Sequence, residues 1–134
     1  MDDTFPSSGH TLACHLKHPV TGTAGPNPPG LILCHWFPIG PIDARRSALT
    51  FPELVDRIAY DVGYVSLTFT FRGCGTSTGD FSLQGWIDDL RAAIDHLMRT
   101  TGVDRVVLVG TNTGGSIAVC VGADDPRVHA VGLL

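Results

Sequence analysis

"VVLVGTNTGGSIA" spans residues 106–118, and its reading decides the fold. Val106, Val107, Leu108 and Val109 form a short apolar run of the kind found in a strand buried on both faces. Gly110, Gly114 and Gly115 mark a tight turn, and Ser116, Ile117 and Ala118 begin a small-residue helix predicted over 113–123. A strand that enters a helix through a glycine-rich turn is a unit of a parallel α/β sheet. The centre of the turn is Asn112. An amide is a poor nucleophile, yet asparagine is among the few non-glycine residues that tolerate positive φ. The turn therefore reads in three ways, as a substituted catalytic turn, as a binding turn or only as a tight connection.

Working outward, the same alternation recurs. "TLACHLKHP", residues 11–19, alternates apolar and polar residues and predicts a half-buried first strand. The Gly- and Pro-rich stretch 20–30 predicts a loop. "LILCH", residues 31–35, predicts a buried strand. A helix is predicted over 51–62, where Thr50 and Glu53 match a capping box and Pro52 would sit in the first turn. Its inward face would carry Phe51, Leu54, Val55, Ile58 and Val62, and Gly63 would end it. "YVSLTFTF", residues 64–71, is β-branched and aromatic and predicts a strand. The strongest helical periodicity is Leu83, Trp86, Ile87, Leu90, Ile94, Leu97 and Met98, with Ser82 as N-cap and Gly102 as terminator. Asp88, Asp89, Arg91, Asp95 and Arg99 are expected on its outer face. "RVHAVGLL", residues 127–134, predicts a last strand. The expected architecture is one three-layer αβα domain over residues 1–134 with a mostly parallel sheet.

Composition narrows the function classes. The 134 residues are 43% hydrophobic and 16% charged, which suits a packed core and argues against disorder. The net charge is −4, and Arg45–Arg46 is the only adjacent basic pair, so nucleic acid is not an expected partner. No apolar run approaches the ~20 residues of a membrane span, and the acidic start "MDDTFPSSGH" is unlike a signal peptide. The expected setting is cytoplasmic. Cys14, Cys34, Cys74 and Cys120 form no C-x-x-C pair, and the six histidines are scattered. No metal and no cofactor is expected from these spacings.

In an open parallel sheet, ligands bind beyond the carboxyl ends of the strands. Three loops leave those ends: "HWFPIGP" from His35, "RGCGTSTGD" from Arg72, and "GTNTGGS" from Gly110. The second and third are rich in glycine and small polar residues, and the first carries Pro38, Gly40 and Pro41. "GCGTSTG" has the look of a phosphate-binding loop, but its G-x-G-x-x-x-G spacing, with no helix directly following and no Walker lysine, disfavours a nucleotide.

The third loop matches G-x-S-x-G between strand and helix, with Gly110 and Gly114 at the flanks. Together with "LILCHWFPIG", "FTFRGCGTSTGDF" and "GWIDDLRAAIDHL", in that order along the chain, it resembles the N-terminal part of an α/β-hydrolase of the serine-hydrolase branch. The resemblance covers roughly residues 30–134. It implies ester or amide cleavage as the ancestral activity and a small ester- or amide-like ligand. It places Asn112 at the nucleophile position. It implies two oxyanion donors, the backbone N–H groups of Phe37 and Thr113, with His35, Trp36, Cys74, Gly110 and Gly114 lining the site.

Three departures accompany it. Asn112 stands where serine is expected. Trp36 replaces the glycine of the family's His-Gly turn and is expected to crowd the oxyanion site. After Asn112 the only acids are Asp124 and Asp125 and the only histidine is His129, all expected at the opposite end of the sheet. These departures predict an impaired enzyme. The alternative is a binding or scaffold protein that keeps the pocket without the reaction. A variant of the same plan, found in dehalogenases and epoxide hydrolases, carries aspartate at the elbow, for which asparagine is an isostere. The sheet of the family continues beyond the strand that matches residues 127–134, so this apolar last strand is expected to present an edge for self-association or a partner.

Overall fold

The computed structural model describes residues 2–20 and 25–134. Residues 21–24, part of the loop expected over 20–30, lie outside the described residues. The elements are β1 (Asp2–Ser7), β2 (His10–Lys17), β3 (Gly30–Cys34), α1 (Gly40–Val62), β4 (Val65–Phe69), α2 (Leu83–Thr101), β5 (Val106–Gly110), α3 (Thr113–Gly122) and β6 (Val128–Leu133). They form one six-stranded sheet in the order β1-β2-β4-β3-β5-β6. β3 pairs in parallel with both β4 and β5, and β5 in parallel with β6, while β1 and β2 join as an antiparallel extension.

The three layers follow from this order. From β3 the chain crosses to β4 on one side, then from β4 over β3 to β5 on the other. Right-handed crossovers in opposite directions place their helices on opposite faces. Phe51 and Val55 of α1 pack on Leu31 and Leu33. The opposite face carries the larger core, in which Trp86, Leu90, Ile94 and Leu97 of α2 and Ile117 and Val121 of α3 cover Ile32, Leu67 and Leu108. β3 and β5 are neighbours whose following helices leave to opposite faces. That is a topological switch point, where a crevice opens at the carboxyl ends of the two strands.

Several sequence expectations need correction. β1 is an additional strand. Its polar run and Pro6 hide it, but Phe5 and Ser7 face inward, and an edge strand tolerates proline. Ser8 and Gly9, with φ of 48° and 84°, make the two-residue turn that twisted hairpins favour. α1 begins at Gly40 rather than 51, so Thr50 and Glu53 lie in mid-helix and do not cap it. The start signals that operate are Pro41 and the first-turn Asp43. Pro52 is inside the helix. Leu54 and Val62 of the expected inward face are exposed, and the buried stripe is Ser47, Phe51, Val55 and Ala59. Asp89 is not on the outer face: it is fully buried. Gly63 and Gly102 end their helices in the left-handed conformation, and Ser82 caps α2 by accepting the Gly85 N–H, all as the sequence predicts.

Candidate functional site

The turn after β5 has the geometry its sequence suggests. Asn112 adopts φ 49° and ψ −118°, a strained backbone for a residue with a side chain. It is exposed at the tip, and α3 starts immediately after it. The strain is held by close packing. A Cβ on Gly110 would lie 2.5 Å from both Gly114 O and Gly115 N, and one on Gly114 would strike the carbonyls of Cys34 and His35. Glycine is required at both positions by backbone approach. The elbow is tied to β3 by the Thr111 N–H donating to Cys34 O at 3.2 Å. Behind the tip, Gly114 N–H donates to Thr111 O at 2.9 Å and Ser116 N–H to Asn112 O at 3.0 Å. Among the described residues neither the Thr113 nor the Phe37 N–H has an acceptor.

His35, at the end of β3, is buried, and both ring nitrogens are engaged. Nε2 accepts the Phe71 N–H at 3.1 Å, so Nδ1 carries the proton and donates to Trp36 O at 2.5 Å. Burial pushes its pKa below 6.5, against an opposing pull from the Trp36 carbonyl. A neutral, doubly committed imidazole ties the loop after β3 to the loop after β4 and has no free nitrogen with which to act as a base.

Trp36 turns toward α1. Its Nε1 donates to Asp43 Oδ2 at 2.8 Å, the same oxygen that accepts the Ile39 N–H, and its ring packs against Phe51 at 5.1 Å. The bulk expected over the oxyanion position is thus anchored at the start of α1. Phe37 points the other way, stacked on Trp86 and edge-on to Phe81.

The loop after β4 is fixed by a buried ion pair. Arg72 donates through Nε and Nη2 to Asp89 Oδ1 at 3.0 and 2.8 Å, and through its backbone N–H to Oδ2 at 2.9 Å. Ser7 Oγ–H donates to Asp89 Oδ1 at 2.7 Å, and Trp86 Nε1 to Arg72 O at 3.1 Å. The arrangement satisfies a carboxylate that would otherwise be too costly to bury. The sequence held a signal for it: Asp89 lies three residues after Trp86 and four before Ala93, on the apolar face of α2.

A cavity of about 530 Å³ opens under α1, lined by His35, Pro38, Ser47, Phe51, Thr70 and Cys74 among others. It draws on the loops after β3 and β4 but not on Asn112 or Thr113. Cys74 faces it with its pKa raised, chiefly by burial. Asp124, Asp125 and His129 lie at the far end, since Val128 pairs with Val106 and Leu133 with Gly110. Asp125 is engaged there by Arg127 at 2.7 Å.

Comparison with solved structures places this architecture. An Agrobacterium tumefaciens α/β-hydrolase of unknown function superposes with a TM-score of 0.79 over 99% of this chain and 59% of its own, at 19% identity. Est1E from Butyrivibrio proteoclasticus, solved with ferulic acid bound, gives 0.77 over 96% and 50%, at 20% identity. The fold is that of the α/β-hydrolases. Among curated proteins, the quorum-quenching protein AidA of Acinetobacter baumannii is 29% identical over 98% of this chain and 42% of its own length. No family model matches the sequence. The chain thus spans about half the length of the α/β-hydrolases it resembles. No helix of the described residues is long and apolar enough to cross a membrane.

Proposed function

We propose that this chain is an α/β-hydrolase of ester- or amide-cleaving ancestry whose catalysis is impaired at the elbow, and that it holds a small ester- or amide-like molecule at the switch point. The observation that carries the reading is Asn112: an elbow backbone built at a cost in strain, presenting a group with no nucleophilic oxygen. The N–H groups of Phe37 and Thr113 are the oxyanion donors in this reading. The start of α3 adds its dipole to the second of them. His35 lines the site as a brace, Cys74 lines the neighbouring cavity, Trp36 is held beside it by Asp43, and Gly110 and Gly114 shape the turn. The exposed Leu133 of β6, whose described pairing is with β5, offers an edge for self-association or a partner.

The test uses freshly purified protein in which an intact Asn112 amide has been verified by mass. Hydrolysis of p-nitrophenyl acetate and labelling by a fluorophosphonate are expected to be at background, while ferulic acid raises the melting temperature. Turnover well above background that disappears in Asn112→Ala would overturn the reading. Absence of any ligand-induced shift, with background turnover, would favour a scaffold that has also lost its pocket.

A further inference from the structure

We propose that Asn112 is a self-modification site, at which the side-chain amide is lost through a cyclic imide formed with the backbone nitrogen of Thr113. A tetrahedral Cα places Cβ a third of a turn from the backbone nitrogen about the Cα–C bond. With ψ at −118°, Cβ of Asn112 is therefore eclipsed with Thr113 N. That is the torsion a planar five-membered ring of Cα, Cβ, Cγ, N and C demands. Ordinary strand and helix backbones hold the two apart, because their ψ values lie far from this one. The elbow pre-forms the ring torsion that an unfolded asparagine must find by chance.

Two further observations point the same way. The Thr113 N–H has no acceptor among the described residues, so no hydrogen bond must break before the nitrogen reacts. The Asn112 side chain makes no capping bond and its residue is exposed, leaving Cγ free to rotate and open to water. In the reaction, Thr113 N attacks Cγ and its proton passes to the leaving group. The Cγ–Nδ2 bond breaks and ammonia departs, leaving the imide. Water then opens either carbonyl, giving aspartate at 112 or its isomer linked through the side chain. No oxidation occurs, and water is the only co-reactant. A neutral amide at the tip of the elbow becomes a carboxylate.

The inference rests on backbone geometry and not on the proposed hydrolase ancestry, so either can fail alone. The chain carries its own control. It contains two asparagines, and Asn27 precedes Pro28, whose nitrogen has no proton to give up. Folded protein, the same protein unfolded in urea, and folded Asn112→Gln are incubated in mildly alkaline buffer made with heavy-oxygen water, and followed by intact mass and peptide mapping. The expected result is that folded protein loses the Asn112 amide about tenfold faster than the unfolded chain, with heavy oxygen at residue 112. Asn112→Gln, whose ring would need six members, stays unchanged. Loss no faster in the folded than in the unfolded chain, or loss mapping to another residue, would overturn the proposal.

Discussion

Arg72 and Asp89 meet in the interior, guanidinium Nη2 to carboxylate Oδ1 at 2.8 Å, with no exposed surface on the Asp89 side chain. The pair joins the loop after β4 to the middle of α2, and Ser7 extends the link to the edge strand. The aromatic stack of Phe71 on Trp86, at 4.2 Å and nearly parallel, lies against it. Removing one partner strands the other charge in the core. Asp89→Ala is expected to cost about 3–5 kcal/mol. A double change, Arg72→Met with Asp89→Leu, should cost less than that single change. Urea unfolding of the three proteins measures both, and a double variant weaker than Asp89→Ala would contradict the pairing argument.

The His35 brace predicts a pH dependence. Burial holds the folded pKa below 6.5, so between that value and the folded pKa the unfolded chain carries a proton the folded one lacks. The unfolded state binds more protons, and stability falls as pH drops through this window. His96, also depressed mainly by burial, contributes with the same sign. The depressed carboxylates Asp43 and Asp125 lose their contribution only near and below 3.8. The window between those values thus reports the histidines. His35→Gln should flatten the slope there, while losing about 1–3 kcal/mol at neutral pH if the Phe71 N–H is left unpaired. An unchanged slope would place the pH dependence elsewhere.

Gly110 and Gly114 permit a contact that no side chain allows. Gly114→Ala pushes a methyl into the carbonyls of Cys34 and His35, and backbone cannot rotate away as a side chain can. A loss of about 2–3 kcal/mol, from overpacking, is expected. Gly9→Ala, where nothing lies within 4 Å and only the φ of 84° is costly, should lose about 1–2 kcal/mol. Thermal melting orders the two, and equal losses would mean that the elbow is looser than its packing implies.

How much of this was legible beforehand depends on the range of each interaction. The parallel sheet, the elbow, and the caps at Ser82, Gly63 and Gly102 are local or periodic features, and the sequence carries them. β1 was hidden because its partners are far along the chain and its own residues are polar. The capping pattern at Thr50 points to a start at 51 instead of Gly40, because the signals that open α1, Pro41 and Asp43, precede any apolar helical period. The charge of Asp89 argues for the outer face and its spacing for the inner one, and a buried carboxylate becomes legible only with its distant partner Arg72. Trp36 looked like an obstruction because its hydrogen bond to Asp43 depends on where α1 begins.

The last prediction concerns the cost of the elbow itself. Asn112 sits at φ 49° and ψ −118° without a side-chain hydrogen bond to repay it. Such strain costs about 1–3 kcal/mol, and glycine at the position relieves it. Glycine also enlarges the freedom of the unfolded chain, which gives back about 0.5–1 kcal/mol. Asn112→Gly should therefore stabilise the protein by about 0.5–2 kcal/mol. Asn112→Val, with a branched Cβ at positive φ, should destabilise it by more than that gain. The same substitutions separate two explanations of why asparagine is there. If the Asn112 side chain contributes nothing to the fold, as expected of a turn inherited from a catalytic one, the urea midpoint of Asn112→Gly will exceed that of the natural protein. A lower midpoint would show that the Asn112 side chain contributes to the fold, and the elbow would then be a structural turn rather than the remnant of a catalytic one.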